Sequence, residues 1–409
     1  MKQYLFSPTD ILLPKKDYES WAVIACDQFT SRPDYWEDAK KAAAGKPSTL
    51  ELIYPEVYLA TTDSKEVTEN INSNMNKYLD SGIYDEYKSS FIYVERIQSD
   101  GKLRAGIVGA VDLDEYDYSP DSTSRVRATE KTVLERIPPR VEIRKNAPTE
   151  LPHILMLMDD VSREIIEPLA QLSKDGRLEK LYDFDLMLGG GHITGYLIPS
   201  DMNTEICEKI EALGASHSGI TLAVGDGNHS LATAKAVRQL NKTEINRYAL
   251  CELVNIHSEA LEFEPIYRTV ENVDTQKLLS AFKDFLARSG ASLSEKTDVD
   301  TQDVVFVCGD EKNELYIKNP PHALPVGTVQ IFLDEYLKDD KAAVIDYIHG
   351  EDEVESIARK ENSCGFIYGG MGKSELFSAV EKEGVLPRKT FSMGTARDKR
   401  YYVEVRKIK

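Results

Sequence analysis

The chain has 409 residues, 41% of them hydrophobic, with 50 Lys and Arg against 69 Asp and Glu and a formal net charge of −19. That length exceeds one ordinary core and makes two or three domains the expectation, while the acidity argues against a nucleic-acid partner, whose backbone needs clustered cations. No run is long and apolar enough for a membrane span, and the start MKQYLFSPTDILLP lacks the apolar core of a secretory signal.

In chain order, SWAVIACDQF (20–29) reads as a short buried strand ending at Asp27 and Gln28. Ligands often sit at such strand ends in open α/β sheets. Residues 31–45 read as a capped helix, and 64–82 as a second helix closed by Gly82. SSFIYVERI and LRAGIVGAVDLDEY flank QSDGK and read as a hairpin. A polar run follows, gathering Arg125, Arg127, Arg136, Arg140 and Arg144 around Glu130. Guanidinium groups bind phosphate or carboxylate bidentately, although a charge run more often pairs with its own surface. PHILMLMDD (152–160) predicts a buried strand, with a helix from about 162 to 173. A triple glycine then precedes His192 in a β context, and 201–214 is an amphipathic helix ended by Gly214.

Residues 220–237, ITLAVGDGNHSLATAKAV, pass from an apolar strand through Gly225, Asp226, Gly227, Asn228 and His229 into a helix that Ser230 can cap. Unpaired N–H groups and the helix dipole make such a junction a ready anion site. Asp226 is the odd member, because a carboxylate repels phosphate. It fits if it orients Mg²⁺ or accepts a proton. A strand-to-helix turn with Asp and Ser as caps explains the spacing about as well. RYALCELVNIH (247–257) reads as a strand that EFEPIYRTV (262–270) extends after a turn, and the remainder as a final α/β unit. FIYGGMGKSELF does not complete a P-loop, because Ile367 stands where its first glycine belongs. The five scattered cysteines, with no CxxC, suit a reducing compartment, so a cytoplasmic location is expected.

These residues resemble the bacterial and archaeal family named domain of unknown function 1015, from near residue 10 to the C-terminus. The family's Asp-Gly-His-His-Arg box is matched by GDGNHSLATA. Its N-terminal Pro-Tyr-Asp stretch is matched by IACDQF. Its acidic-Thr segment is matched through Glu130, Thr132 and Arg140, its Leu-Val-Asn strand through Asn255 and Arg268, and its last turn by VLPRKTFSMG. The box is also similar to the phosphate-binding box of ParB-like and sulfiredoxin-like proteins, a group that includes nucleotide hydrolases and a free-serine kinase. Here Asn228 replaces the first His and Ser230 the Arg, so another arginine must supply that contact or the ligand is smaller than a nucleoside triphosphate.

The expectation is therefore a mixed α/β to α+β protein of three units, 1–110, 111–275 and 276–409, with mixed sheets and a ParB/sulfiredoxin-like strand–glycine–helix element in the second. The expected function is binding of a nucleotide and phosphoryl transfer to a small hydroxyl metabolite such as serine. A sensor of a phosphorylated metabolite and a phosphoester hydrolase are the alternatives. Asp226, His229 and Glu130 are the catalytic candidates. Gly225, Gly227, Asn228, Ser230, Arg136, Arg140, Arg268, Asn255, Asp27, Gln28 and His192 are the ligand-binding ones. Mg²⁺ would come with the nucleotide, no metal or dinucleotide would be built in, and a homo-oligomer stays open.

Overall fold

A computed structural model describes residues 3–59 and 64–409, with the backbone alone for Arg136. The chain divides into two units: Met1–Leu261 with Gly394–Lys409, and Glu262–Met393. The three-unit division at 110 and 275 differs from this for a physical reason. Residue 110 lies inside the strand Leu103–Asp112, which pairs with both Ile92–Ile97 and Tyr248–Asn255. Cutting there would break a continuous ladder. Phe263–Glu271, expected to extend the Tyr248–Asn255 strand, belongs to the second unit's sheet instead.

The first unit is built on a ten-stranded mixed sheet. Its order is Glu179–Asp185, His192–Leu197, Ile92–Ile97, Leu103–Asp112, Tyr248–Asn255, Leu155–Met158, Leu222–Asp226, Val126–Ala128 and Tyr116–Asp117, with Phe6–Ser7 on Leu103–Asp112. The hairpin expected across residues 98–102 is present as antiparallel pairing from Ile92↔Val108 to Ile97↔Leu103. Parallel pairing joins Leu155–Met158 to Tyr248–Asn255, and Val126–Ala128 to both of its neighbours. The central strands are apolar on both faces because both are covered. The helix expected from about 162 begins only at Glu167. Asp160 first takes the Ser162 hydroxyl at 2.8 Å and the Ile165 N–H at 3.0 Å, which holds the chain in a turn.

The last sixteen residues return to the first unit and run through its interior. Trp21 Nε1 donates to the Val403 carbonyl at 2.8 Å, and Tyr401 and Tyr402 pair with Ile24 and Val23. Arg400 is buried between two carboxylates: its Nε lies 2.8 Å from Glu252 Oε2, and its other arm meets Glu404. Tyr182 Oη donates to the far oxygen of Glu404 at 2.6 Å. Burial pushes the Glu252 carboxyl up, but Arg104, Arg400 and Arg96 outweigh it and hold it below its ordinary value.

The second unit carries an antiparallel sheet in the order Ser292–Ser294, Glu311–Lys318, Thr301–Cys308, Ser363–Tyr368, Phe263–Glu271 and Val344–His349. Helices Thr275–Arg288 and Pro325–Asp339 bring Phe282 and Phe332 against it, 5.4 Å and 6.4 Å from the Phe366 ring centroid. Among the described residues no helix is long and apolar enough to cross a membrane.

Both tryptophans, Trp21 and Trp36, are buried in the first unit, so their fluorescence reports its unfolding alone. Arg400→Met would leave Glu404 buried without its cation and Glu252 with Arg104 as its remaining ion-pair partner. Urea titration followed by tryptophan emission should show a loss of about 3–5 kcal/mol. A loss below about 1 kcal/mol would mean that the burial of these charges is relieved by some other route.

Candidate functional site

The strand Leu222–Asp226 is buried through Val224 and then emerges. Gly227 follows with φ 84°, a left-handed conformation that glycine adopts without strain. A Cβ there would lie 3.1 Å from Ile154 Cα and 3.3 Å from the His153 ring, so glycine also permits this close approach. The helix Asn228–Leu240 begins at once, with Gly227 as its N-cap. No side-chain hydrogen bond caps it, and its first turn carries no acidic residue. The first N–H groups of a helix have no intrahelical acceptor, so its positive end favours an anion. Asn228 adds a buried Oδ1 without a hydrogen-bond partner. Ser230, expected to cap the helix, is its third residue, and its hydroxyl faces His153 instead.

Around this helix start the fold gathers side chains from four other segments. Lys399 Nζ lies 3.4 Å from Asp226 Oδ2, both side chains being largely buried. His153 Nε2 lies 2.7 Å from Ser230 Oγ, and its Nδ1 lies 2.9 Å from Tyr402 Oη. The Cys26 N–H donates to Tyr402 Oη at 3.1 Å. Asp27 accepts from Gln28 Nε2 at 2.9 Å. Burial pushes the Asp27 carboxyl up, but the His153 ring, the Gln28 amide and the Lys399 ammonium outweigh it and hold it below the usual carboxylate range. The Cys26 thiol is pushed up to about 11 by burial and by Asp27, so it stays protonated near neutral pH. Lys399 is itself fixed through its backbone. Arg96 donates to the carbonyls of Arg397, Asp398 and Lys399, and Arg104 donates to that of Asp398.

Segment 129–133 packs beside the helix start. Thr129 Oγ1 donates to the Val224 carbonyl at 2.6 Å, and the Val133 N–H donates to His229 Nε2 at 3.2 Å. Glu130 lies partly buried in this segment. The His229 contact requires an unprotonated Nε2, so in this arrangement His229 secures the segment as a neutral ring.

The arginine run is not a free cationic cluster. Arg125 pairs with Glu115 and Glu211, Arg140 with Glu56, and Arg144 with Glu150. Arg140 still stands near the site, since its charge acts on the Cys26 thiol and the Glu56 N–H donates to the Cys26 carbonyl. The Arg136 side chain lies outside the described residues. Arg268 belongs to the second unit, buried, with its guanidinium on Gln330, Tyr368 and the carbonyls of Ile266, Arg388 and Lys389. Asn255 is buried and donates to the Asp160 carbonyl and to Glu167. His192 stands five places from Leu222–Asp226 along the sheet, held 2.7 Å from both Asp183 and Asp185. Of the preceding glycines, Gly189 and Gly190 pack against the C-terminal segment, where a Cβ on Gly190 would strike Tyr401, and Gly191 packs against the Ile97 backbone. The glycine turn at 369–372 is capped internally, the Gly372 N–H donating to Glu375 at 2.7 Å.

Among the described residues no group of three His, Cys, Asp or Glu is arranged to hold a metal ion. Two cavities of the first unit, about 380 Å³ and 630 Å³, are lined by other residues, including Lys88 with Arg406 and Trp36 with Tyr58. The site is therefore defined by its charged and hydrogen-bonding groups.

A family model described as "Protein of unknown function (DUF1015)" matches residues 7–336. No curated protein matches the sequence. Among solved structures the chain is similar to a free serine kinase in complex with AMP, with a TM-score of 0.41 and 12% identity over 73% of this chain and 91% of that one. It is similar to a conserved hypothetical protein from Pyrococcus furiosus, with a TM-score of 0.37 and 12% identity over 72% and 93%. It is also similar to SbnI with a C-terminal truncation from Staphylococcus aureus, with a TM-score of 0.38 and 10% identity over 70% and 82%.

Asp27 binds its proton less tightly in the fold than the ordinary value of 3.8. It therefore adds stability above that value and loses this contribution as pH falls through its lowered one. Asp27→Asn removes the effect. The stability gap between wild type and Asp27→Asn, measured by urea titration, should shrink as pH falls from about 5 to about 3. A gap that widens would contradict the lowered carboxyl.

Proposed function

This chain belongs to the DUF1015 family, and from the site just described we propose that it binds a nucleotide and transfers a phosphoryl group to a small hydroxyl metabolite, serine among them. The observation that carries the reading is the uncapped helix start at Gly227 with Lys399, His153 and the carboxylates of Asp226 and Asp27 around it. Phosphoryl transfer needs positioned charge more than covalent help. The backbone of Gly225–Ser230 holds the phosphate. Lys399 takes the neutralising role that the sequence had assigned to a distant arginine.

Asp226 or Asp27 takes the proton of the acceptor hydroxyl. Both are hard oxygen donors, and Mg²⁺ often uses only one or two carboxylates beside phosphate and water. The pair therefore suits Mg²⁺, which would screen the phosphate charge when it arrives with the nucleotide. A second reading has its own support. Asp226 is already paired with Lys399, an arrangement that a non-catalytic sensor of a phosphorylated metabolite would also use.

Thermal-shift measurements with nucleotides and phosphorylated amino acids, with and without Mg²⁺, test the binding claim. A ligand at about 100 times its dissociation constant should stabilise the protein by about 2.7 kcal/mol. With the substrate in hand, Asp226→Asn should keep its fold and its ligand affinity while turnover falls about 100-fold or more. Near-normal turnover in that variant would favour the sensor. Lys399→Met should instead weaken binding of the phosphorylated ligand, read as a lost thermal shift.

A further inference from the structure

The Ser230, His153 and Tyr402 side chains form a line that binding a phosphate does not require. Ser230 Oγ lies 2.7 Å from His153 Nε2, and His153 Nδ1 lies 2.9 Å from Tyr402 Oη. A hydroxyl within reach of a base that a third group orients is the arrangement of an activated nucleophile. We propose that Ser230 is a nucleophile, with His153 as its base and Tyr402 as the positioning residue, and that it carries the phosphoryl group as phosphoserine between donor and acceptor. The inference rests on the phosphoryl-transfer reading.

Three further features fit this role. The ring of His153 is held by contact on several sides: it crosses Tyr402 at 76° with centroids 5.7 Å apart, and it passes close to Gly227, where no Cβ intervenes. Tyr402 is buried, and its oxygen already accepts the Cys26 N–H. It can also accept from Nδ1–H while its own proton turns to the Cys26 thiol, leaving Nε2 unprotonated toward Ser230. Asp27, which interacts with the same ring, stabilises the imidazolium that forms. Ser230 itself is only partly buried and stands in the first turn of a helix that no side chain caps, so the positive end of the helix dipole is close to the developing charge.

The step balances in both directions. The Ser230 Oγ–P bond forms as the terminal P–O bond of a nucleoside triphosphate breaks, the diphosphate leaves with the bonding pair, and the serine proton passes to His153 Nε2. In return, the acceptor hydroxyl oxygen attacks phosphorus and the Oγ–P bond breaks. Its proton goes to a site carboxylate, and Ser230 Oγ regains its proton from His153. Water in place of the acceptor gives hydrolysis through the same intermediate.

A fluorophosphonate probe tests nucleophilicity without knowing the substrate, because its P–F bond breaks as Oγ–P forms and fluoride leaves. The full chain should gain one adduct, located on the Ser230 peptide by mass spectrometry. Ser230→Ala should show none. His153→Gln, which keeps a hydrogen bond but cannot take the proton, should label about 100-fold more slowly. Thermal melts establish that both variants fold. No adduct on wild type, an adduct that survives in Ser230→Ala, or undiminished labelling in His153→Gln each overturns the inference. Wild-type phosphoryl transfer by Ser230→Ala would also overturn it, leaving direct transfer and the proposed function standing. If no nucleotide or phosphorylated compound stabilises the protein, the proposed function falls, and labelling alone then judges the nucleophile.

Discussion

The first unit depends on one buried charge, the guanidinium of Arg400 held between Glu252 and Glu404. Glu252 lies in the middle of a central strand, where a lone carboxylate would be costly. Glu404 and Arg400 come from the last sixteen residues. Arg104, on the neighbouring strand, partners one oxygen of Glu252, and the threaded segment supplies Arg400 for the other. Arg96 and Arg104, also from the sheet, then take the carbonyls of 397–399 and fix the segment's register. Most of these contacts are charge-assisted, and those of Arg400 with Glu252 are charge contacts more than aligned hydrogen bonds. The network specifies position more than it adds net stability.

That positioning has a chemical result. Lys399 and Tyr402 lie close to Arg400 in sequence and reach Asp226 and His153 at the helix start at Gly227. Asp27 arrives because Val23–Ile24 pairs with Tyr401–Tyr402, and His153 because it precedes the strand that pairs with Leu222–Asp226. The site is thus an assembly of short strand ends around one helix start. Lys399 stands there among the carboxylates of Asp27 and Asp226, and the chain as a whole carries −19.

Much of the frame was legible. The 98–102 hairpin, the strand–glycine–helix junction and the helices near 33–43 and 64–80 follow from period and caps, which are local signals. Asp27 and Gln28 were found because a buried strand visibly breaks at them. His153, Lys399 and Tyr402 were not, because nothing local marks them. His153 sits beside an apolar run, and Lys399 is one lysine in a charged tail. Only burial and partners more than seventy residues away set them apart. The arginine run shows the converse. Its clustering is local, while two of the four carboxylates that pair with Arg125, Arg140 and Arg144, Glu211 and Glu56, come from distant segments. Residues 262–270 were joined to the wrong sheet because a strand pattern carries no label for its neighbour.

The second unit lies, in sequence, between the two parts of the first. During synthesis on the ribosome the order of emergence is therefore fixed. A nascent chain that has reached Met393 already displays Asp27, His153 and the Gly227 helix, yet it lacks Lys399, Tyr402 and the second cation on Glu252. The whole of residues 262–393 must be translated before Arg400 can join Arg104 at that carboxylate. Residues 394–402 thus complete the first unit only after the second has been synthesised, and a chain that stops short of them carries the helix start at Gly227 without its lysine.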